Sequence, residues 1–221
     1  MDGRHEDARF AEVMSFPSGR ELVRRLPPLV LGLVVLGMSI AVSVRAALGL
    51  APWDVFHQGV AKVVHLSLGT VIVLVGLVVL VAWIPLRQRL GIGTVLNTIF
   101  VGVIANVGLD LVPVQHRMAV RVPLLALAIV GMSVGGGLYI GAGLGPGPRD
   151  GLMTAISARG YRLWRVRTVL ECSVMVVGFL LGGQVGIGTV VIALSLGPLT
   201  HAALARFHLA VGAEAPEVMG E

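Results

Sequence analysis

Two short segments hold most of the reactive chemistry in this chain. Pro52-Trp53-Asp54 leads into Val55-Phe56-His57-Gln58, and Pro148-Arg149-Asp150 leads into Gly151-Leu152-Met153. Each places a carboxylate two residues after a proline, in the first turn of the helix that a proline favours starting. A carboxylate there can satisfy free backbone N–H groups. Folded back to line a cavity, the two helix N-termini would favour an anion, reinforced by Arg149 and opposed by Asp54 and Asp150. Arg149 adds an anion-binding group, while His57 and Gln58 add donors and acceptors. Asn97 and Glu171 fall inside apolar runs, and an ionisable group in such a run reads as functional by default. Asp54, His57, Gln58, Asn97, Arg149, Asp150 and Glu171 are therefore the candidate substrate-binding residues. Two of them have competing structural roles. Arg167 stands four residues before Glu171 and can pair with it. Asn97 can bond across helices.

Other chemistry is missing. Cys172, the chain's one cysteine, lies in an apolar run without a histidine near it in sequence. It can form no internal disulfide and has no partner for a zinc site. His57 and His65 share a helical face only loosely. The Gly-x-Gly pairs at 91–93 and 186–188 lack the strand, lysine or acidic partner of a nucleotide loop. No catalytic residue, metal or cofactor is expected, and the chain is not expected to be an enzyme.

The elements that must position these residues follow from composition. Of 221 residues, 56% are hydrophobic and 13% charged, and the mean hydropathy is +0.90. Such a balance excludes disorder and argues against an ordinary soluble domain. With 30 glycines and 5% aromatics, it suits tightly packed membrane helices. Six spans are predicted, at 27–48, 70–86, 92–112, 120–142, 168–185 and 187–207, each near the length a bilayer requires. The tails 1–26 and 208–221 are polar, and 113–119 is a connecting loop. A cleaved signal peptide is not expected, because the first apolar run is long and five more follow.

The basic residues set the orientation. Arg4, Arg9, Arg20, Arg24, Arg25, Arg87, Arg89, Arg149, Arg159, Arg162, Arg165, Arg167 and Arg206 fall on one side of the predicted spans. Arg45, Lys62, Arg117 and Arg121 fall on the other. The richer side is cytoplasmic, which places both termini there and 113–119 outside. The formal charge of +5 is thus a topology signal, and no nucleic-acid partner is expected.

The chain repeats itself. Gly37-Met38-Ser39 recurs as Gly131-Met132-Ser133. Gly91-Ile92-Gly93-Thr94-Val95 recurs unchanged as Gly186-Ile187-Gly188-Thr189-Val190. Gly49-Leu50-Ala51-Pro52-Trp53-Asp54 corresponds to Gly143-Leu144-Gly145-Pro146-Gly147-Pro148-Arg149-Asp150, with two residues inserted. Three collinear matches indicate duplication. Three spans per copy force the second copy to enter the membrane inverted, an arrangement common in secondary transporters. The predicted fold is therefore an all-α integral membrane protein of two inverted 3+3 repeats, 27–112 and 120–207. A short amphipathic or re-entrant helix follows the first span of each, within 51–69 and 145–166. The interfacial and the re-entrant placements remain open alternatives.

The segments 49–59 and 143–153, each followed by Gly-Ile-Gly-Thr-Val, resemble the YczE/YyaS/YitT family of bacterial integral membrane proteins over about residues 28–207. That resemblance implies a small multi-span protein of the bacterial inner membrane. It supplies no catalytic or binding residue. Two functions are then expected from the sequence. One is a small transporter-like carrier with its site at the repeat interface. The other is a non-transporting accessory or scaffold protein that supports a partner complex or biosynthetic pathway. The expected partners are the lipid bilayer and a small solute or ion. Gly131, Gly135, Gly137, Gly141 and Gly145 give the fourth span small-residue spacings that suit tight internal packing or a homodimer face.

Overall fold

The computed structural model describes residues 19–207; the segments 1–18 and 208–221, with Arg4 and Arg9, lie outside the described residues. Those described form helices α1 (Gly19–Ala46), α2 (Pro52–Val64), α3 (Leu68–Leu86), α4 (Ile92–Leu111), α5 (Met118–Gly141), α6 (Pro148–Ser157), α7 (Leu163–Leu180) and α8 (Ile187–Phe207). Five of them, α1, α3, α4, α5 and α8, are long and apolar enough to cross a membrane. The predicted fifth span is not among them: α7 has 18 residues and carries Arg165, Arg167 and Glu171.

Two boundaries differ from the sequence expectation. α1 begins at Gly19 instead of Pro27, so Pro27 and Pro28 lie within the helix. Its added turns are amphipathic. Leu22 and Leu26 pack on the core, and Glu21 and Arg25 approach to 3.8 Å. α7 spans Leu163–Leu180 instead of 168–185. Val166 starts it early by packing against Trp53, Val79, Trp83 and Met153. Gly182, at φ +90°, stops it early, as a glycine beyond a helix end commonly does.

α1 and α5 form the centre and run antiparallel. Gly32 lies against Gly135 and Tyr139, and Gly131 against Ser39. α4 packs on α1, α8 on α5 and α3 on α4, while α2 lies along α7 and α6 against α3. On the other face of α5, Gly136 and Gly137 meet Thr200 and Ala203 of α8. The close approaches that glycine spacing permits are thus made within the chain.

The repeated motifs hold each other. Gly93 donates its N–H to the Leu144 carbonyl at 2.8 Å, and Gly188 donates to the Leu48 carbonyl at 2.8 Å. The Thr94 hydroxyl donates to the Pro146 carbonyl at 2.7 Å, and the Thr189 hydroxyl accepts from the Leu50 N–H at 3.1 Å. Each Gly-Ile-Gly-Thr helix start therefore grips the turn after the first long helix of the other copy. The turns need glycine. Gly49 has φ +126° and Gly145 φ +121°, and a Cβ at either would meet the gripping threonine at 2.7–2.8 Å. Gly145→Ala is expected to cost at least about 1–3 kcal/mol through backbone strain. Gly197→Ala, in α8 with nothing within 4 Å, should leave the melting temperature unchanged or raise it. Thermal melting of both purified variants checks the contrast.

α3 and α4 pack closely because Gly69 and Gly102 bring their backbones together. Asn106 fastens the end of this pair: its carbonyl accepts from Gly69 N–H at 2.8 Å, and its amide donates to Ser67 Oγ at 2.9 Å. The sequence singled out Asn97 for bonding across helices, but it is Asn106 that does so. No comparable seam joins α7 and α8, which barely touch.

Candidate functional site

α2 and α6 point their N-terminal ends at each other beside the α1–α5 centre. Pro52 and Pro148 open them, after Ala51 and Gly147 in extended conformation. The two ends meet where the Arg149 guanidinium lies over the Trp53 ring, 5.8 Å from its centroid. Trp53 and Arg149 occupy corresponding positions of the two repeated segments, as do Asp54 and Asp150. A cation over an indole face is attractive, more so away from water.

A cavity of about 490 Å³ opens from this junction. That is large enough for a small organic solute. Its floor is Asp54, Trp53, Arg149 and Asp150. Its walls continue along α8 from Ile192 to Leu204, past Arg167 and Glu171 of α7, and past Tyr139 and Ile140 of α5. It therefore extends toward the side where α1 begins and α5 and α8 end. Apolar lining comes from Ile40, Met132 and Leu196.

The two aspartates are held differently. Asp150 Oδ2 accepts a hydrogen bond from the Tyr139 hydroxyl at 2.7 Å. Asp54 is 2% exposed, and its Oδ1 is enclosed without a hydrogen-bond partner, 3.5 Å from Nδ1 of the equally buried His57. Neither carboxylate caps its helix. The N-caps are Ala51 and Gly147, and the carboxylates turn to His57 and Tyr139 instead of to the free N–H groups.

Five of the seven candidates, Asp54, Asn97, Arg149, Asp150 and Glu171, border this cavity. Glu171 is also bonded to Arg167 at 2.9 Å, so the local ion pair forms on the cavity wall. His57 lies behind Asp54 and lines a separate chamber of about 20 Å³ with Thr98, Ile72 and Gly76. That volume holds about one water. Trp53, Asn97, Pro148 and Arg149 border both spaces and form the partition between them. Gln58 is not at the site. Its Oε1 accepts from the Gln184 N–H at 2.7 Å, so Gln58 ties the α7–α8 connection to α2, while the Gln184 amide donates to the Ala47 carbonyl just after α1 at 2.6 Å.

Two site residues escaped the sequence reading. Trp53 stood inside the singled-out motif, but its role depends on Arg149 arriving from the other copy. Tyr139 is one of two tyrosines in the chain and sits in the last turn of α5. A phenol buried in an apolar run was the available signal, because such a hydroxyl needs a partner.

Comparison with known proteins places the chain among relatives of undescribed activity. It is 35% identical to an uncharacterized protein of Haemophilus influenzae, over 86% of this chain and 85% of the relative. It is 30% identical to the uncharacterized membrane protein YczE of Bacillus subtilis, over 80% and 84%. It is 24% identical to the uncharacterized protein YyaS of the same organism, over 77% and 88%. No solved structure matches it. With the apolar helices, these relatives establish a helical membrane protein. Residues 23–204 match the profile of the family of unknown function DUF6198, and the chain belongs to that family.

Proposed function

We propose that the protein is a small-solute carrier of the bacterial inner membrane, with six spans in two inverted repeats and both termini in the cytoplasm. α7 is the remaining span; its charges Arg167 and Glu171 pair with each other and border the cavity, which lowers the cost of placing them at membrane depth. The antiparallel α1 and α5 and the reciprocal grip of the Gly-Ile-Gly-Thr starts support inversion.

One observation carries the reading. By the repeat offset, Ile72, Gly76, Thr98 and Val101 correspond to Arg167, Glu171, Ala193 and Leu196. The first set lines the 20 Å³ chamber, and the second lines the 490 Å³ cavity. Equivalent places in the two copies thus line a narrow space in one and a wide one in the other. Alternating access in an inverted-repeat carrier exchanges these two conditions around a fixed central site. Asp54, Asn97, Arg149 and Asp150 form that site, with Trp53 and Tyr139, and His57 stands behind it.

Single cysteines in a Cys172→Ala background test this reading with membrane-impermeant maleimide. A cysteine at Leu196 should label from the cytoplasmic face. A cysteine at Thr98, nearly isosteric with threonine, should label slowly and from the opposite face. If position 98 never labels from that face, the protein does not alternate, and the accessory reading replaces the carrier. Cysteines at Lys62 and Arg159 check inversion separately. They should label from opposite sides, and labelling from one side would remove the inverted repeat.

A further inference from the structure

We infer that Asp54 and His57 form a proton relay through the partition between the two chambers, so that this carrier moves protons with its solute. The inference rests on the carrier reading and adds the coupling ion to it.

The geometry is specific to this pair. Asp54 borders the wide cavity, and His57 borders the narrow chamber. Their facing atoms, Oδ1 and Nδ1, stand 3.5 Å apart, and both are enclosed without a hydrogen-bond partner. Both residues are 2–3% exposed. A buried acceptor facing a buried titratable nitrogen is costly to leave unpaired. One proton between them resolves that cost. Carboxylate and imidazole are also the side chains best suited to exchange a proton near neutral pH.

The surroundings favour a mobile proton over a fixed ion pair. α6 presents Arg149 and Asp150, α5 presents Tyr139, α7 presents Arg167 and Glu171, and α8 presents His201, while α3 presents no titratable side chain. Tyr139 is committed to Asp150, and Arg167 to Glu171. Among the described residues, Arg149 is the cation that shares the cavity floor with the two aspartates. One negative charge is left to be balanced by a proton, which a buried carboxylate can accept.

The transfer balances. Cavity water protonates the Asp54 carboxylate. The Asp54 O–H bond then breaks as an N–H bond forms at His57 Nδ1, giving a carboxylate and an imidazolium. The ring then rotates, the imidazolium gives up that Nδ1 proton to water in the other chamber once that chamber opens, and rotation back returns the starting Nε2–H imidazole to Asp54. The reverse sequence carries protons inward. Asp150 cannot substitute, because the residue three after it is Met153, where Asp54 has His57.

The test uses the full chain in liposomes that enclose a pH-sensitive dye, with a potassium diffusion potential as driving force. Wild type should pass protons faster than empty vesicles. Asp54→Asn and His57→Gln should each slow that flux at least tenfold, and Asp54→Glu should retain it. His65→Asn, at the exposed end of α2, should match wild type. Nitrogen NMR of labelled histidines adds a readout that a merely structural role would not move: the His57 midpoint should fall in Asp54→Asn, because the neighbouring carboxylate is gone. Wild-type flux equal to empty vesicles, unchanged flux in both variants, or an unmoved His57 midpoint would each overturn the relay. If a cysteine at position 98 still labels from the far side in that case, the carrier reading survives without proton coupling. If protons cross while position 98 never labels, the pair is a fixed proton path and the carrier reading falls.

Discussion

Gly151→Val is expected to leave little folded protein, and Trp83→Ala in the same chain is expected to restore part of it. The reason is an exchange of sizes between the two copies. In one, Trp83 of α3 is 1% exposed and packs against Gly151 of α6, so that a Cβ at 151 would clash with Cζ2 and Cη2 of the indole ring. In the other, the position equivalent to Trp83 is Gly178 of α7, and the position equivalent to Gly151 is Val55 of α2. The glycine has changed helices: Gly151 of α6 makes room for the Trp83 side chain, and Gly178 of α7 makes room for the α2 backbone at Val55 and Phe56. A valine at 151 forces the ring and its hydrogen bond to the Pro148 carbonyl, 3.1 Å long, out of place. Overpacking costs about 1–3 kcal/mol where neighbours can shift, and more where they cannot. Trp83→Ala alone should cost about 3–5 kcal/mol through the cavity it leaves. Together the two changes should cost less than their sum, because residues in contact couple. Gly178→Val should find no such rescue. Its Cβ would strike the backbone of Val55 and Phe56, which no side-chain truncation removes. Monodisperse yield after detergent extraction, with melting of whatever is recovered, measures all four. Wild-type yield and melting for Gly151→Val would refute the packing account.

How much of this was legible beforehand depends on whether the signal was local. The long helices were, because a run of apolar residues fixes both length and environment, and α3, α4, α5 and α8 lie within two residues of the predicted spans. The beginning of α7 was not. Val166 is drawn into helix by Trp53, Val79, Trp83 and Met153, and only the folded chain brings these together. The aspartates could be found because ionisable residues are scarce in an apolar chain. Their partners could not, since Tyr139 and Arg149 reach Asp150 and Trp53 by way of turns whose geometry sequence does not give. Gln58 shows the opposite error. A polar residue one position from His57 points to another side of the same helix, and it serves the loop at Gln184. Least legible was the difference between the copies. Near-identical motifs suggest equivalent surroundings, yet small Gly69 and Ser67 of α3 correspond to Trp164 and Arg162 at the start of α7, and Asn106 corresponds to His201. Those exchanges remove the close seam and leave α7 apart from α8.

That loss of the seam leads to the second large effect. Ser67 and Asn106 touch at 2.9 Å and fasten the start of α3 to α4. Their counterparts, Arg162 and His201, belong to two helices that barely touch, and His201 lines the large cavity. If the copies exchange conformations, the state with the large cavity closed must bring 162 and 201 as near to each other as 67 and 106 are here. The double variant Arg162→Cys/His201→Cys, in a Cys172→Ala background, is therefore expected to form a reversible disulfide in membranes under mild oxidant, although the open structure keeps the pair apart. Its loss of free thiol, read by maleimide mass tagging, should approach completion, because each visit to the closed state is captured. Once formed, the bond should protect a cysteine at Leu196 from labelling by at least tenfold, and reduction should restore access. Both residues are exposed in the open state, so substituting them should cost little stability. Gly102→Ala, which crowds the α3–α4 seam against Gly69 and Val73, should speed the crosslink by disfavouring the state that needs that seam. A pair that stays reduced in wild type and in Gly102→Ala alike would mean that the cavity is permanently open to one side. An open cleft of that kind can hold a partner, but it cannot carry a solute across.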